Sequence, residues 1–286
     1  MMTISQFPRC RCNGFISLLL IGLVTSNAAL AAIDEVPISF GIVPQQSAST
    51  LARVWSPILH HLSQQTERRF VFRTAPDIPT FEQRLAEGRY DIAYMNPYHY
   101  VVFNEKAGYE AFAKARDKQI KGVLVVREDS DITTLEALDG MTLAFPAPAA
   151  FAASVLPQAH LRQQGVEFTP KYVSSHDSVY RAVAQGLYPV GGGVVRTFTS
   201  MDASVSDQLR ILWTTPAYTS HAIAAHPRLP GDVVNAIGNA LVAMDQTADG
   251  ASLLQALSIK GFEAARDEQW NDVRGLSLQT AVGTRE

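Results

Sequence analysis

Cysteine is nearly absent: the 286-residue chain has two, Cys10 and Cys12, both in its first dozen residues. Outside that stretch no disulfide framework, thiolate metal site or cysteine nucleophile can be built. A Gly-x-Ser-x-Gly elbow is also missing, as is any His/Asp/Glu cluster at metal spacing. His60 and His61 are adjacent and diverge around a helix, and His99 gives no ligand set. Ser175-His176-Asp177 is contiguous, and contiguous residues cannot converge as a triad. These absences speak against an enzyme, and no cofactor or metal is expected.

Long apolar runs are scarce as well. Arg9 and Arg11 precede an apolar run from Phe15 to Val24, followed by Ala28, Ala29, Ala31 and Ala32. The run is shorter than the roughly 20 residues of a membrane span. With Ala29-Leu30-Ala31 as a small-x-small junction, residues 1–32 read as a cleaved secretory signal, and neither cysteine sits where a lipidated one would. An exported, periplasmic protein without a membrane span is expected. Without Arg9 and Arg11, 22 basic residues face 27 acidic ones. That balance lacks the concentrated basic surface that nucleic acid requires. The remaining length of roughly 255 residues suits two lobes, each with its own core.

Strand and helix patterns alternate along the chain. Val36 to Val43 reads as a strand and Pro44 to Thr50 as a polar loop. Leu51, Val54, Trp55, Ile58, Leu59 and Leu62 then recur at helical spacing. Phe70–Phe72 and Tyr90–Tyr94 read as further strands around a helix at Phe81–Leu85. The second of these runs into Asn96-Pro97-Tyr98-His99-Tyr100, where Pro97 removes a donor and stops the strand. Such an aromatic and amide cluster at a strand tip is either a ligand wall or a packed core edge. Gly122–Val126, Thr142–Phe145, Tyr172–Val173, Leu187–Val195 and Leu209–Trp213 supply a second set of strands, and Pro216 to Ala225 returns as an extended segment. In open α/β sheets ligands bind at the carboxyl ends of strands, which would bring Gln45, Gln46 and Tyr94 to one crevice.

Four stretches in this order carry a resemblance: Phe40-Gly41-Ile42-Val43-Pro44, Gly88-Arg89-Tyr90-Asp91-Ile92-Ala93-Tyr94, the Leu135 to Gly140 turn, and Ser175-His176-Asp177 before a helix. Together they resemble the periplasmic phosphate, phosphite and phosphonate-binding proteins of ABC importers. The resemblance implies a two-lobed type II periplasmic-binding-protein-like α/β fold, with mixed, mostly parallel sheets, helices on both faces and two hinge crossings, here near Val125 and Pro216. Residues 33–125 and 217–286 would form lobe 1, and 126–216 lobe 2. It implies a monomer that captures a small, anionic molecule by interlobe closure and delivers it to an ABC permease. A histidine kinase's periplasmic domain is the alternative partner, and a secreted enzyme the third reading.

Carried over by position, the pocket comprises Gln45, Gln46, Tyr94, Asn96, Phe151, His176, Arg196, Tyr218 and His221. One departure bears on specificity. Where the family has a Ser-Thr-Ser type run at a helix start, this chain has Ala150-Phe151-Ala152, which leaves backbone N–H groups and the helix dipole to hold an anion. A ligand with an apolar part, or a smaller and less charged one, then fits better than a free phosphonate dianion. Tyr188-Pro189-Val190-Gly191-Gly192-Gly193 is the second departure. Its glycines offer side-chain packing nothing and point to a close backbone approach or an unusual turn; a phosphate cradle would need a following Lys-Ser/Thr, which is missing. His176 is either a ligand donor or part of a plain surface cap, and His221 either ligand-facing or a satisfied interlobe histidine. Arg196, whose fork suits an oxyanion, is otherwise a solvated surface residue.

Overall fold

The computed structural model describes residues 36–276. The secretory signal read above, with Cys10, Cys12 and the Ala29–Ala31 junction, lies outside the described residues. Among the described residues no helix is long and apolar enough to cross a membrane.

The first third of the chain forms strands β1 (Ile38–Ile42), β2 (Phe70–Arg73), β3 (Ile92–Met95) and β4 (Glu110–Ala115), with helices α1 (Ala48–Thr66), α2 (Ile78–Ala86) and α3 (Pro97–Ala107) between them. Alternation in β1 sends Ile38, Phe40 and Ile42 into the core under α1, whose Leu51, Trp55, Ile58, Leu59 and Leu62 are all buried. Asn96 caps α3 and Pro97 occupies its first turn, so the proline that ends β3 also begins a helix.

The middle of the chain forms β5 (Gln119–Ile120), β6 (Gly122–Arg127), β7 (Thr142–Phe145), β8 (Thr169–Tyr172), β9 (Val190–Val194) and β10 (Leu209–Thr214), with α4 (Leu156–Gln163), α5 (His176–Ala184), α6 (Val195–Thr199) and α7 (Ala203–Ser206). Then come β11 (Tyr218–Thr219), β12 (Ala222–Ala225), α8 (Gly231–Ala243), α9 (Ala248–Ala256) and β13 (Phe262–Ala264). One sheet has the order β13-β4-β12-β3-β1-β2 and the other β10-β6-β9-β7-β8. Both are mixed, as expected, but parallel pairing is confined to β2-β1-β3 and β8-β7-β9, and the remaining pairs are antiparallel. Strand–helix alternation overstates the parallel share because β4, β12 and β13 come from segments without that rhythm.

The chain passes between the sheets twice, from Ala115 to Gly122 and from Thr214 to Ala222. The two passages pair with each other, β5 against β11. Gly122 N–H donates to Thr215 Oγ1 and Thr215 N–H to the Gly122 carbonyl, each at 3.0 Å. Pro216 lies in the second passage. Val125, expected at the first, is instead fully buried in the middle of β6. Gly122–Val126 is apolar throughout, and that uniformity hides the point where the sheet begins.

The three glycines stand in an ordinary buried strand, β9, with close approach on both faces. A Cβ at Gly192 would lie 2.0 Å from the Ala153 carbonyl oxygen and 2.6 Å from the Phe145 ring. Gly122 in neighbouring β6 seats the Ala152 carbonyl in the same way, at 1.9 Å. The close backbone approach read from the sequence is therefore what the glycines serve, and it is packing after all, with the backbone itself as the packed surface. The seated segment is Phe151–Val155, a π-helical turn leading into α4, with Leu156 N–H bonded to the Phe151 carbonyl. Pro157 has no N–H for Ala153 and its ring would crowd that carbonyl, which widens the turn.

Gly192→Ala is expected to destabilise the protein by about 1–3 kcal/mol, since backbone cannot move aside as a flexible side-chain end can. Gly231→Ala, where nothing lies within 4 Å of the added methyl, should change stability by less than about 0.5 kcal/mol. Urea unfolding checks both, and equal midpoints for the two variants would refute the seating argument.

Candidate functional site

Between the two sheets lies a cavity of about 420 Å³. From the first sheet it is lined by Val43 and Gln45 after β1 and by Tyr94 and Asn96 at the end of β3; from the second, by Ala150–Ala153 and His176. Arg196 and Thr197 follow β9, while Lys118, Lys121, Ser220 and His221 come from the two passages between the sheets. The sites thus gather at strand ends, where the crossing chain leaves backbone and side chains free to converge.

One wall is an aromatic stack. Trp55 backs Tyr94 at 4.8 Å, and Tyr94 stacks on His221 at 4.9 Å with their planes 15° apart. Gln45 Nε2 donates to His221 Nε2 over 2.8 Å, which places the ring proton on Nδ1. Burial, with Arg196 and Lys118 nearby, pushes the His221 pKa down to about 3. Burial alone drives the Tyr94 hydroxyl up to about 12, against a small opposing pull from Arg196.

Asn96 has a structural task in addition to its place on the wall. Its Oδ1 accepts from His99 N–H at 2.8 Å and its Nδ2 donates to the Ala149 carbonyl at 3.0 Å, so the cap of α3 fastens the loop after β7. Behind it His99 is fully buried and neutral, its pKa pushed down to about 3 by burial and by His221.

The opposite wall is the first turn of the Phe151 helix. The N–H groups of Phe151, Ala152 and Ala153 belong to a turn that provides them with no intrahelical acceptor. The turn itself brings no hydroxyl to the cavity: Ser154 is wholly buried and does not line it. His176 opens α5, with burial pushing its pKa down to about 4, Asp177 opposing and Arg196 reinforcing the shift. Its Nδ1 is buried and has no hydrogen-bond partner among the described residues.

Three cations, Arg196, Lys118 and Lys121, line the cavity, and no aspartate or glutamate does. Lys118 Nζ donates to the Ser258 carbonyl at 2.8 Å; burial and Arg196 lower its pKa. Among the described residues no group of His, Cys, Asp or Glu could hold a metal ion. A cleft with positive side chains, neutral imidazoles and no carboxylate attracts anions.

Seven of the nine residues expected from sequence meet at this cavity: Gln45, Tyr94, Asn96, Phe151, His176, Arg196 and His221. Gln46 does not; it is exposed on a neighbouring outer cavity. Tyr218 also falls outside the lining, packed edge-on to Phe151 at 6.0 Å with its hydroxyl 3.1 Å from His160 Nε2. Lys118, Lys121 and Ser220 were not anticipated; the passage that carries the two lysines was placed at Val125 instead.

Two sheets joined by paired passages, with an anion-attracting cavity at their strand ends, define a two-lobed solute-binding protein of the type II periplasmic class. Residues 40–270 match the profile of the ABC transporter phosphonate periplasmic substrate-binding proteins, and the chain belongs to that family. Its relatives are binding proteins rather than enzymes, and its role is that of a solute-binding component of an ABC importer. The phosphonates-binding periplasmic protein of Escherichia coli is 22% identical over 267 residues, 88% of this chain and 79% of that one. The phosphate-import protein PhnD of Mycolicibacterium smegmatis is 21% identical over 230 residues, 69% and 68% of the two chains. Among solved structures, a binding component of a Pseudomonas aeruginosa ABC phosphonate transporter superposes with a TM-score of 0.76 at 22% identity, covering 86% of this chain and 87% of that one. PhnD1 from Prochlorococcus marinus in complex with methylphosphonate gives 0.75 at 17% identity, covering 85% and 97%.

His176, His221 and His99 have folded-state pKa values of about 4, 3 and 3, below the roughly 6.5 of an unfolded histidine. The unfolded chain therefore binds protons that the folded one refuses, and stability present above pH 6.5 is lost as pH falls towards 4. The melting temperature of the ligand-free protein should drop steadily between pH 6.5 and 4.5, and His221→Gln should flatten the slope. A flat profile for the unaltered protein across that window would mean the rings are charged in the fold.

Proposed function

We propose that the interlobe cavity captures a small organic oxyanion of the phosphonate, phosphate-ester or sulfonate kind. The supporting observation is the cavity's charge pattern: Arg196, Lys118 and Lys121 line it together with first-turn N–H groups, and no carboxylate offsets them. Arg196 is the principal anion ligand, being exposed and without an ion-pair partner among the described residues. Tyr94, His221 and Phe151 supply apolar faces beside it, which suits an anion carrying carbon better than inorganic phosphate.

The two lobes are taken as residues 36–115 with 222–276 and residues 122–214, hinged on the β5–β11 pair. Both walls come from one chain, so a monomer suffices. The ligand shifts the population towards a closed state in which both lobes touch it, and that state is what the ABC permease receives. Two relatives, named for phosphonates and a methylphosphonate complex, agree with this ligand class, and the one named for phosphate import shares only the oxyanion.

Calorimetry of the mature chain with methylphosphonate, methyl phosphate and methanesulfonate tests the reading. At least one should bind, and Arg196→Ala should weaken it about 10- to 100-fold, the range for a hydrogen bond to a charged group. Tyr218→Phe should leave affinity within about twofold, since only a neutral hydrogen bond outside the cavity is lost. Unaltered affinity in Arg196→Ala would defeat the assignment of the anion to this cavity.

A further inference from the structure

The cleft has a second compartment. An outer cavity of about 660 Å³ adjoins the inner one, and Gln45, Ile78, His176 and Thr197 line both. Its frame is stiff, with five prolines, Pro44, Pro76, Pro79, Pro146 and Pro148, fixing the loops around it. Its polar groups are hydroxyls and amides, among them Gln46, Thr50, Tyr172, Ser174 and Ser200. No lysine or arginine lines it, and both of its carboxylates sit at helix starts: Asp77 caps α2 by accepting from Thr80 N–H, and Asp177 lies in the first turn of α5. Each lies at the positive end of its own helix, which offsets part of its charge and leaves the compartment rich in hydroxyls and mildly negative.

Charge thus divides the cleft, cations inside and hydroxyls with two capping carboxylates outside, a set of acceptors and donors suited to a polyol and repelling a second anion, with the unpartnered Nδ1 of His176 at the boundary. Each cavity alone lies within the roughly 300–1,000 Å³ of a small-molecule site, so a bare oxyanion would leave the outer one to water. We propose, building on the anion reading above, that the ligand is bipartite: its oxyanion occupies the inner cavity, and an uncharged, hydroxyl-rich substituent extends past His176 into the outer one. Such a molecule is a phosphorylated or phosphonylated polyol, with a span that the two compartments accommodate together.

The test compares three phosphate monoesters by calorimetry: methyl phosphate, ribose 5-phosphate and phosphoethanolamine. Ribose 5-phosphate should bind about tenfold more tightly than methyl phosphate, the gain from two or three neutral hydrogen bonds. Ala147→Trp and Ser200→Trp fill the outer compartment from residues that do not line the inner one. Each should erase that gain while methyl phosphate affinity stays within about twofold, which also certifies that the variant is folded. Equal affinity for ribose 5-phosphate and methyl phosphate overturns the bipartite ligand and leaves the anion site standing. So does a gain for phosphoethanolamine alone, which would mark the outer compartment as a cation site, or a ribose gain that persists in both tryptophan variants. Binding of none of the three esters overturns the anion site as well.

Discussion

The site depends on two missing methyl groups. Gly122 and Gly192, on neighbouring strands, leave the second sheet bare where the carbonyls of Ala152 and Ala153 rest. That contact sets the height and tilt of the Phe151 turn over the sheet, and therefore where its unpaired N–H groups meet the cavity. Pro157 contributes from the other side, because the widened turn it enforces is what turns the Ala153 carbonyl towards Gly192. Any side chain at either glycine would lift the turn, and Phe151 would lose its edge-on contact with Tyr218. The oxyanion wall is thus fixed by backbone-to-backbone packing, and its N–H donors do not depend on the side chains of Ala150, Phe151 or Ala152.

Electrostatics follow from that geometry. Desolvation makes a charged imidazole unfavourable at His176, His221 and His99 alike, and the nearby Arg196 adds to the effect for the first two. The result is a few permanent cations amid neutral hydrogen-bonding groups, a field that distinguishes anions from cations without closing the site to uncharged parts of a ligand. The Gln45 bond to His221 holds that ring in one tautomer and against Tyr94, so the wall is set before any ligand arrives.

How much of this could be read from the sequence depended on whether a segment's pattern was local. The period of α1 and the alternation of β1 were plain, as was Thr142–Phe145, since each buries one face against a neighbour that its own residues specify. β4, with the sequence Glu-Ala-Phe-Ala-Lys-Ala, carries residues that strands disfavour, and it is a strand only because β12 and β13 flank it. The same non-local logic hid the first passage between sheets, and with it Lys118 and Lys121. Seven of the expected residues could be brought to one cavity because they sit at ends of legible strands and helices. Tyr218 was misplaced by one side chain's direction: on a two-residue strand, Tyr218 packs behind Phe151 while Ser220 and His221, just beyond it, reach the cavity.

Closure is where specificity and stability meet. Phe151, Val155 and Leu156 from the second sheet's side share one apolar cluster with Tyr98, Met95 and Tyr218, and Asn96 adds a hydrogen bond across the same junction to Ala149. A hydroxyl-bearing helix start would interact with the anion directly and leave closure to the ligand. On the closure proposed above, an aromatic ring at that start would bury apolar surface as the lobes meet, at roughly 25 cal/mol per Å², leaving the ligand less of the closing free energy to supply. A ligand shifts the equilibrium only by its differential affinity for the two states. With part of closure provided by Phe151, weaker oxyanion contacts are enough to complete it, and discrimination passes to whatever else in the cleft distinguishes one anion from another.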